Sequence, residues 1–182
     1  CYQNLPVTIV GMGAGTIYSN LGGTHLTQED ISIAKSIPNM SVIAPCDPME
    51  LKHAVNYCCN FSKSPIYLRI GKSGEKNYTK NSIDKWQFGK IRKIKNGKKI
   101  CILSYGPIIS VADNVLKDLN KNKIYPSLYS AHTLKPLDNL TIKKIFKKYK
   151  TIVIIEDHSV INGLAHDIKV LGQELKFKKT IL

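Results

Sequence analysis

The sequence predicts an α/β fold: two doubly wound, parallel-sheet α/β/α units, the first incomplete at its N-terminal side. Short β-branched runs alternate with helix-length segments, and this alternation is complete in the second half of the chain. Thr151–Ile155 is the strongest buried strand there. The first half has only about three strands, although its first, Val7–Val10, has the apolar character of an interior strand. Because interior parallel strands need neighbours, we expect the first unit to be open at that side.

In the first unit, cap signals place the helices between the strands. Thr27, followed by acidic residues, is a candidate N-cap for a short helix that Pro38 ends. Asp47 and Pro48 are predicted as the N-cap and first turn of the next helix. The predicted elements are the strands Val7–Val10, Met40–Ala44 and Pro65–Ile70 and the helix Pro48–Asn60.

A polar segment rich in Lys, Asn and Ser predicts a linker at residues 71–88, with Trp86 and Phe88 pinning its end to a domain surface. From about Gly89 onward we expect a self-contained parallel sheet, with Asp113 and Asp138 as helix-start residues. The predicted strands are Ile91–Ile94, Lys99–Ser104, Tyr125–Tyr129, Thr151–Ile155 and a truncated last strand in Lys176–Leu182; the helices are Pro107–Asn120, Asn139–Tyr149 and Gly163–Leu175.

Composition excludes several classes of partner. The net charge of +14 comes mainly from lysine, since arginine occurs only at Arg69 and Arg92. Bases are recognised mostly by the paired hydrogen bonds of arginine side chains, so we expect no nucleic-acid partner. No apolar run reaches the length of a membrane span, so no membrane partner is expected. Five cysteines with no metal-binding spacing favour a reducing, cytoplasmic location.

The most informative stretch places a glycine pair, Gly22–Gly23, before Thr24 and His25. In one interpretation His25 ends a glycine-built loop over a helix N-terminus, where an anionic or hydroxylated ligand lies. In the other, the glycines only make a turn, and His25 caps or packs. A lone G-G-T-H is a weak signal, so the motif alone favours the second interpretation.

The longer string G-G-T-H-L-T-Q-E-D-I-S-I-A-K-S-I-P-N-M-S-V-I-A-P-C-D-P-M-E resembles the second half of the pyrimidine-binding domain of transketolase-family, thiamine-diphosphate enzymes. The resemblance continues through P-I-Y-L-R-I-G-K and E-D-H-S-V-I-N-G-L-A and covers nearly the whole chain. It implies a partial pyrimidine-binding domain at residues 1–70, the linker at 71–88, and a transketolase C-terminal domain at 89–182 that is itself truncated.

The resemblance also implies thiamine diphosphate and Mg²⁺ as cofactors of the complete enzyme, and a homodimer. The family's cofactor-protonating glutamate, stacking aromatic residue and metal motif do not occur here. We therefore expect no cofactor-binding or metal-binding residue in this chain, no activity of the chain by itself, and a missing N-terminal part or partner subunit.

For the site, the resemblance implies that His25 is catalytic and contacts substrate oxygens, with Gly22, Gly23 and Thr24 lining the substrate channel. The substrate is expected to be a small phosphorylated or carbonyl compound. Lys72 stands where members of that family carry a phosphate-binding arginine. A lysine keeps the positive charge but cannot donate the two parallel hydrogen bonds of a guanidinium. The alternative for Lys72 is a solvated linker lysine.

Three departures from the family pattern, at Leu21, Gly13–Ala14 and Lys35, argue against the usual phosphosugar substrates. They favour a divergent transketolase-like transferase that moves a ketol or acyl unit between small carbonyl substrates. The alternatives are a deoxyxylulose-phosphate synthase, a 2-oxo acid dehydrogenase beta-type component, or a non-catalytic α/β module that binds anionic partners.

The remaining histidines and the acidic run at the end of the strongest strand are predicted to be structural. Glu156–Asp157–His158 is interpreted as interface and loop structure. His53, His132 and His166 have no convergent partners in the sequence pattern, so we expect no chemistry from them.

Overall fold

Nine strands and five α-helices alternate along the chain and form two sheets with helices packed on them. The computed structural model describes residues 1–182, and it confirms the predicted α/β fold class. None of the helices combines the length and the apolar character needed to cross a membrane. The elements are β1 (Thr8–Met12), α1 (Asp30–Ser36), β2 (Ser41–Ile43), α2 (Pro48–Asn60), β3 (Ile66–Ile70), β4 (Arg92–Lys95), β5 (Ile100–Ser104), α3 (Ile109–Lys121), β6 (Ser127–Ser130), β7 (Thr133–Lys135), α4 (Asn139–Lys148), β8 (Thr151–Ile155), α5 (Leu164–Glu174) and β9 (Thr180–Ile181).

The first sheet has the order β1-β3-β2-β7. Strands β1, β3 and β2 are parallel, and β7 pairs with β2 in the antiparallel direction. The second sheet contains only strands from residues 92–181, as predicted, but β7 from the same half of the chain joins the first sheet, which was not predicted. The physical reason is that β2 has a free backbone edge, which the chain after β6 covers: the Ala44 amide donates to the His132 carbonyl at 2.7 Å.

The second sheet has the order β4-β6-β5-β8-β9. Strands β5 and β8 are parallel as predicted, with Ile100 opposite Thr151, while β4 is antiparallel to β6. The short β9 pairs with β8 inside the segment predicted as a truncated last strand. Both sheets are therefore dominated by parallel pairs, each with one antiparallel edge.

Two of the predicted helix caps are present and one is not. Asp47 accepts from the Glu50 amide at 2.8 Å, and Asp138 accepts from the Thr141 amide at 3.1 Å. Thr27 does not cap α1, because that helix begins three residues later and lacks a side-chain cap.

Asp113 lies in the second turn of α3 and not at a helix start, so that prediction is wrong. Its carboxylate pairs with Lys95 of β4 and with Lys117 one turn along the helix. Burial opposes ionisation of Asp113, but the two ammonium groups outweigh it and lower its pKa.

The two sheets share one apolar core. Its main cluster contains Val42 from the first sheet and Leu103 and Ile152 from the second. A buried polar cluster adds a second connection: Arg92 of β4 donates to Glu50 of α2 at 3.4 Å. The halves of the chain are consequently packed as one body.

The linker is pinned by aromatic stacking, as predicted. Phe88 stacks on Tyr57 with ring centroids 4.2 Å apart, and Trp86 lies between two imidazoles, 5.0 Å from His132 and 5.9 Å from His53. His53 and His132 therefore do converge, on an indole ring, which corrects the expectation that they lack partners. Burial lowers the pKa of His132.

Candidate functional site

The loop from β1 to α1 presents Gly22, Gly23, Thr24 and His25 at the surface. Gly22 has φ 89°, a backbone conformation that favours glycine, and its carbonyl accepts the His25 amide at 3.0 Å. A Cβ atom at Gly22 or Gly23 would meet nothing within 4 Å, so open space surrounds the turn. The glycine pair thus makes a projecting turn and not a close packing contact.

His25 is exposed and makes one side-chain contact, between its Nδ1 and the Thr24 hydroxyl at 3.0 Å. It does not cap the next helix, because the Ser32 amide in the first turn of α1 bonds to Nε2 of His158. When the Thr24 hydroxyl donates to Nδ1, the Nε2–H of His25 is the free donor. The loop therefore leaves the imidazole available to a ligand.

Lys72 lies just beyond the carboxyl end of β3, beside the same loop. Its ammonium is 5.6 Å from the centre of the Tyr18 ring, and its amide donates to Glu75 at 2.8 Å. The Gly13 amide donates to the Gly71 carbonyl, which ties the loop to the segment after β3. No hydrogen bond or ion pair joins Lys72 to His25. Both nevertheless lie beyond the carboxyl ends of parallel strands, where ligands bind in open α/β sheets.

Beneath the loop, Arg69 of β3 is fully buried and binds three partners. Its guanidinium donates to Asp30 at 2.9 Å, to Asp157 at 3.0 Å and to the Thr27 carbonyl at 3.2 Å. Burial opposes the charge of Arg69, but the Asp157 and Asp30 carboxylates outweigh it and raise its pKa. This buried cluster fixes the end of the loop to α1 and to the second half of the chain.

Neighbouring groups complete the cluster around Arg69. The Tyr67 hydroxyl donates to Asp30 at 2.8 Å, and its pKa is raised by burial and by that carboxylate. Gly15 packs directly against the Asp157 carboxylate, since a Cβ atom there would lie 1.8 Å from Oδ2. Only glycine fits at this point. The positive φ of 61° at Gly15 also favours glycine, because residues with a Cβ atom rarely adopt that conformation.

The run Glu156–Asp157–His158 has the structural role that the sequence predicted. Glu156 accepts from the amides of Leu164 and Ala165 at the start of α5 and from the Tyr105 hydroxyl. Sequence reasoning missed the Arg69 cluster that Asp157 completes. One available signal was an arginine in an otherwise apolar strand of a chain with only two arginines.

The departures at Leu21 and Lys35 have different surroundings. Leu21 is 54% exposed on the projecting loop. Lys35 bridges α1 to α5, donating to the Asn162 carbonyl at 2.7 Å and pairing with Asp167. Lys35 therefore acts as a structural cation, away from the exposed turn.

A cavity of about 360 Å³ opens where the two halves of the chain meet, next to the base of the loop. It contains neither His25 nor Lys72. Its lining residues include Thr16, Glu75, Tyr78, Ser110 and Asp157. The predicted site residues thus lie on an open surface, and the cavity lies beside them.

Two family models match this chain: the transketolase pyrimidine binding domain over residues 1–75 and the transketolase C-terminal domain over residues 89–181. The second match alone covers just over half of the sequence. The chain belongs to the transketolase family. This family is thiamine-diphosphate-dependent.

Relatives and solved structures agree with that assignment. The chain is 33% identical to a 1-deoxy-D-xylulose-5-phosphate synthase of Dictyoglomus turgidum, over 100% of this chain and 29% of that protein. It is 26% identical to one subunit of an apulose-4-phosphate transketolase of Phocaeicola vulgatus, over 90% of this chain and 52% of the relative. A structure described as a split gene transketolase, inactive beta4 tetramer, matches with a TM-score of 0.85 and 25% identity, over 100% of this chain and 58% of the other.

The side chains of this chain do not form a site for a metal ion. No three side chains of His, Cys, Asp or Glu are grouped so that they could hold a metal ion. The outer edge of β1 pairs with no other strand, and its apolar side chains are at least half exposed, with Met12 at 72%. The chain therefore presents an uncovered, apolar strand edge next to the loop that follows β1.

Proposed function

We propose that this chain forms the substrate-side wall of a thiamine-diphosphate-dependent, transketolase-like transferase. The reaction moves a ketol or acyl unit between small carbonyl substrates. The observation that carries the proposal is the loop of Gly22, Gly23, Thr24 and His25, which is exposed at its tip and locked at its base by the buried Arg69 cluster. A loop fixed in this way holds a donor group in position before the substrate arrives.

In this proposal the residues of the chain bind and orient the substrate. His25 donates a hydrogen bond from Nε2 to a substrate oxygen that gains negative charge. Thr24 fixes the ring tautomer through its contact with Nδ1. Lys72 attracts a phosphate or carboxylate as a point charge.

The proposed domain division is a partial pyrimidine-binding domain at residues 1–70, a linker at 71–88 and a transketolase C-terminal domain at 89–182. The chain by itself is proposed to be inactive. A preceding segment or a partner subunit supplies the cofactor-binding residues and covers the exposed edge of β1, and the assembled protein contains two copies. The relative that is one subunit of a transketolase and the split gene neighbour support this arrangement.

A second candidate is a deoxyxylulose-phosphate synthase, the activity named for the relative of Dictyoglomus turgidum. In this version of the proposal the acyl unit comes from a 2-oxo acid. The two candidates differ in one product. Transfer from a 2-oxo acid releases carbon dioxide, whereas transfer of a ketol unit from a ketose does not.

The test is reconstitution with the protein segment that carries the family's remaining domains, encoded in the same genome. With thiamine diphosphate and Mg²⁺, the mixture should transfer a two-carbon unit from a ketose donor, or release carbon dioxide from a 2-oxo acid. Each chain alone should do neither, and calorimetry should detect no tight cofactor binding to this chain. Micromolar cofactor binding to this chain alone would contradict the missing-partner part of the proposal. A stable but inactive complex would favour a non-catalytic module.

A further inference from the structure

A second cavity, of about 480 Å³, lies between α4 and the end of α5, and it shares no residue with the loop of His25. Five of its eight lining residues are lysines and the other three are apolar, so no carboxylate lines it. The lining residues are Lys143, Phe146, Lys147, Leu175, Lys176, Phe177, Lys178 and Lys179. We call this set the lysine pocket.

The apolar floor of the lysine pocket is built by the C-terminal turn of α5. The Phe177 amide donates to the Gly172 carbonyl at 2.8 Å, and the Lys176 amide donates to the Gln173 carbonyl at 3.0 Å. These two bonds form a Schellman motif, with Lys176 in the left-handed region at φ 52°. The motif turns the chain back so that Phe177 stacks on Phe146, with ring centroids 4.4 Å apart.

The rim of the lysine pocket concentrates positive charge that the protein does not neutralise. Lys143 and Lys147 are one turn apart on α4, and Lys178 faces the same cavity; none of the three pairs with a carboxylate. Lys179 is held in place, donating to the carbonyls of Phe146 and Tyr149 at the end of α4. Like charges one turn apart destabilise a helix, and a bound anion removes that repulsion.

We propose that the lysine pocket binds a small organic phosphate with an apolar or aromatic body. The body packs on Phe177 and Leu175, and the phosphate lies among the lysine ammonium groups, which bind anions as point charges. The volume falls within the range of small-molecule sites, about 300–1,000 Å³. Because the pocket and the His25 loop have no residue in common, this ligand is distinct from the substrate of the proposed reaction and does not depend on it.

The test is calorimetric titration of the full chain at low ionic strength with three probes. Phenyl phosphate carries both features, inorganic phosphate carries only the anion, and phenol carries only the ring. Phenyl phosphate should bind at least about tenfold more tightly than either of the other two, since each lacks one of the two contacts.

Two double variants assign the binding to the pocket. Lys143→Ala with Lys147→Ala should weaken the binding of phenyl phosphate about tenfold, which corresponds to about 1.4 kcal/mol. Lys52→Ala with Lys63→Ala removes the same charge from exposed positions on the first half of the chain and should change binding less than about twofold. Equal binding of inorganic and phenyl phosphate, or equal losses in both variants, would overturn the proposal. Binding of the chain to anionic vesicles or RNA, with no binding of phenyl phosphate, would also overturn the proposal.

Discussion

Replacing Arg69 by Met tests whether the buried cluster holds the candidate site together. The side chain is fully buried, and its loss removes the hydrogen bonds of 2.9, 3.0 and 3.2 Å to Asp30, Asp157 and the Thr27 carbonyl. Two carboxylates then remain in a low-dielectric site without their cation, and Asp30 Oδ1 already lacks a partner. Removing one partner of a buried ion pair costs about 3–5 kcal/mol, which is a large fraction of a typical domain's stability.

The assay is urea unfolding of Arg69→Met beside Lys121→Met. Lys121 pairs with Asp118 at 2.8 Å, but both side chains are at least 70% exposed, so this control should lose less than about 0.5 kcal/mol. Adding Asp30→Asn and Asp157→Asn to Arg69→Met should restore part of the lost stability, because the stranded charges are removed. A loss below about 1 kcal/mol in the single variant would refute the reasoning, since it would mean that the cluster does not stabilise the fold.

Three further predictions concern the backbone and one cap. Lys176→Gly should raise the free energy of unfolding by about 1 kcal/mol, because glycine tolerates the left-handed conformation, whereas Lys178→Gly should give no gain in the same urea titration. Gly15→Ala should lower the free energy of unfolding by at least about 2 kcal/mol more than Gly74→Ala does. Both positions have positive φ, but only at Gly15 would a Cβ atom press against a carboxylate. Burial opposes ionisation of Asp138, but hydrogen bonds from Thr141 and the Ile91 amide outweigh it and lower its pKa. The stability that Asp138 contributes is complete above the unfolded pKa of about 3.9 and is lost as pH falls through the lower folded pKa. The free energy of unfolding should therefore fall less steeply between pH 6 and pH 3 in Asp138→Asn than in the unchanged protein.

The sequence was sufficient for most of the fold, because its local signals agree with the tertiary structure. After Thr151 the run Ile152–Ile155 is continuously apolar, as a strand that packs on both faces requires, and Thr151–Ile155 forms β8 with the predicted bounds. Asp47 and Asp138 precede their helices at N-cap positions and accept the expected amides.

The prediction failed where an element depends on distant partners. β7 has only three residues, too few for a periodic pattern, and it forms because β2 offers a free edge. Thr27 has the residue type of an N-cap, but its amide bonds to the Gly15 carbonyl at 3.0 Å and its own carbonyl accepts from Arg69. Such long-range bonds leave no local trace in the sequence.

At the candidate site, the sequence predicted the exposed residues but not the buried residues that support them. Gly22–His25 carries a contiguous motif, so a resemblance could locate it. Arg69 and Asp157 are 88 positions apart, and only the fold brings them together. The lysine pocket was not predicted either, because Lys143 and Lys147 lie far along the sequence from the lysines at 176–179.

The most direct test of the central claim is the activity of His25→Ala in the assembled enzyme. The His25 side chain is exposed and makes one hydrogen bond, so its loss should leave the melting temperature and the cofactor affinity nearly unchanged. A positioned hydrogen-bond donor contributes roughly 10²-fold or more, so kcat/KM should fall by about that factor. His166→Ala, at another exposed histidine, serves as the control and should retain full activity. An unchanged kcat/KM in His25→Ala would contradict the assignment of this loop to the substrate wall.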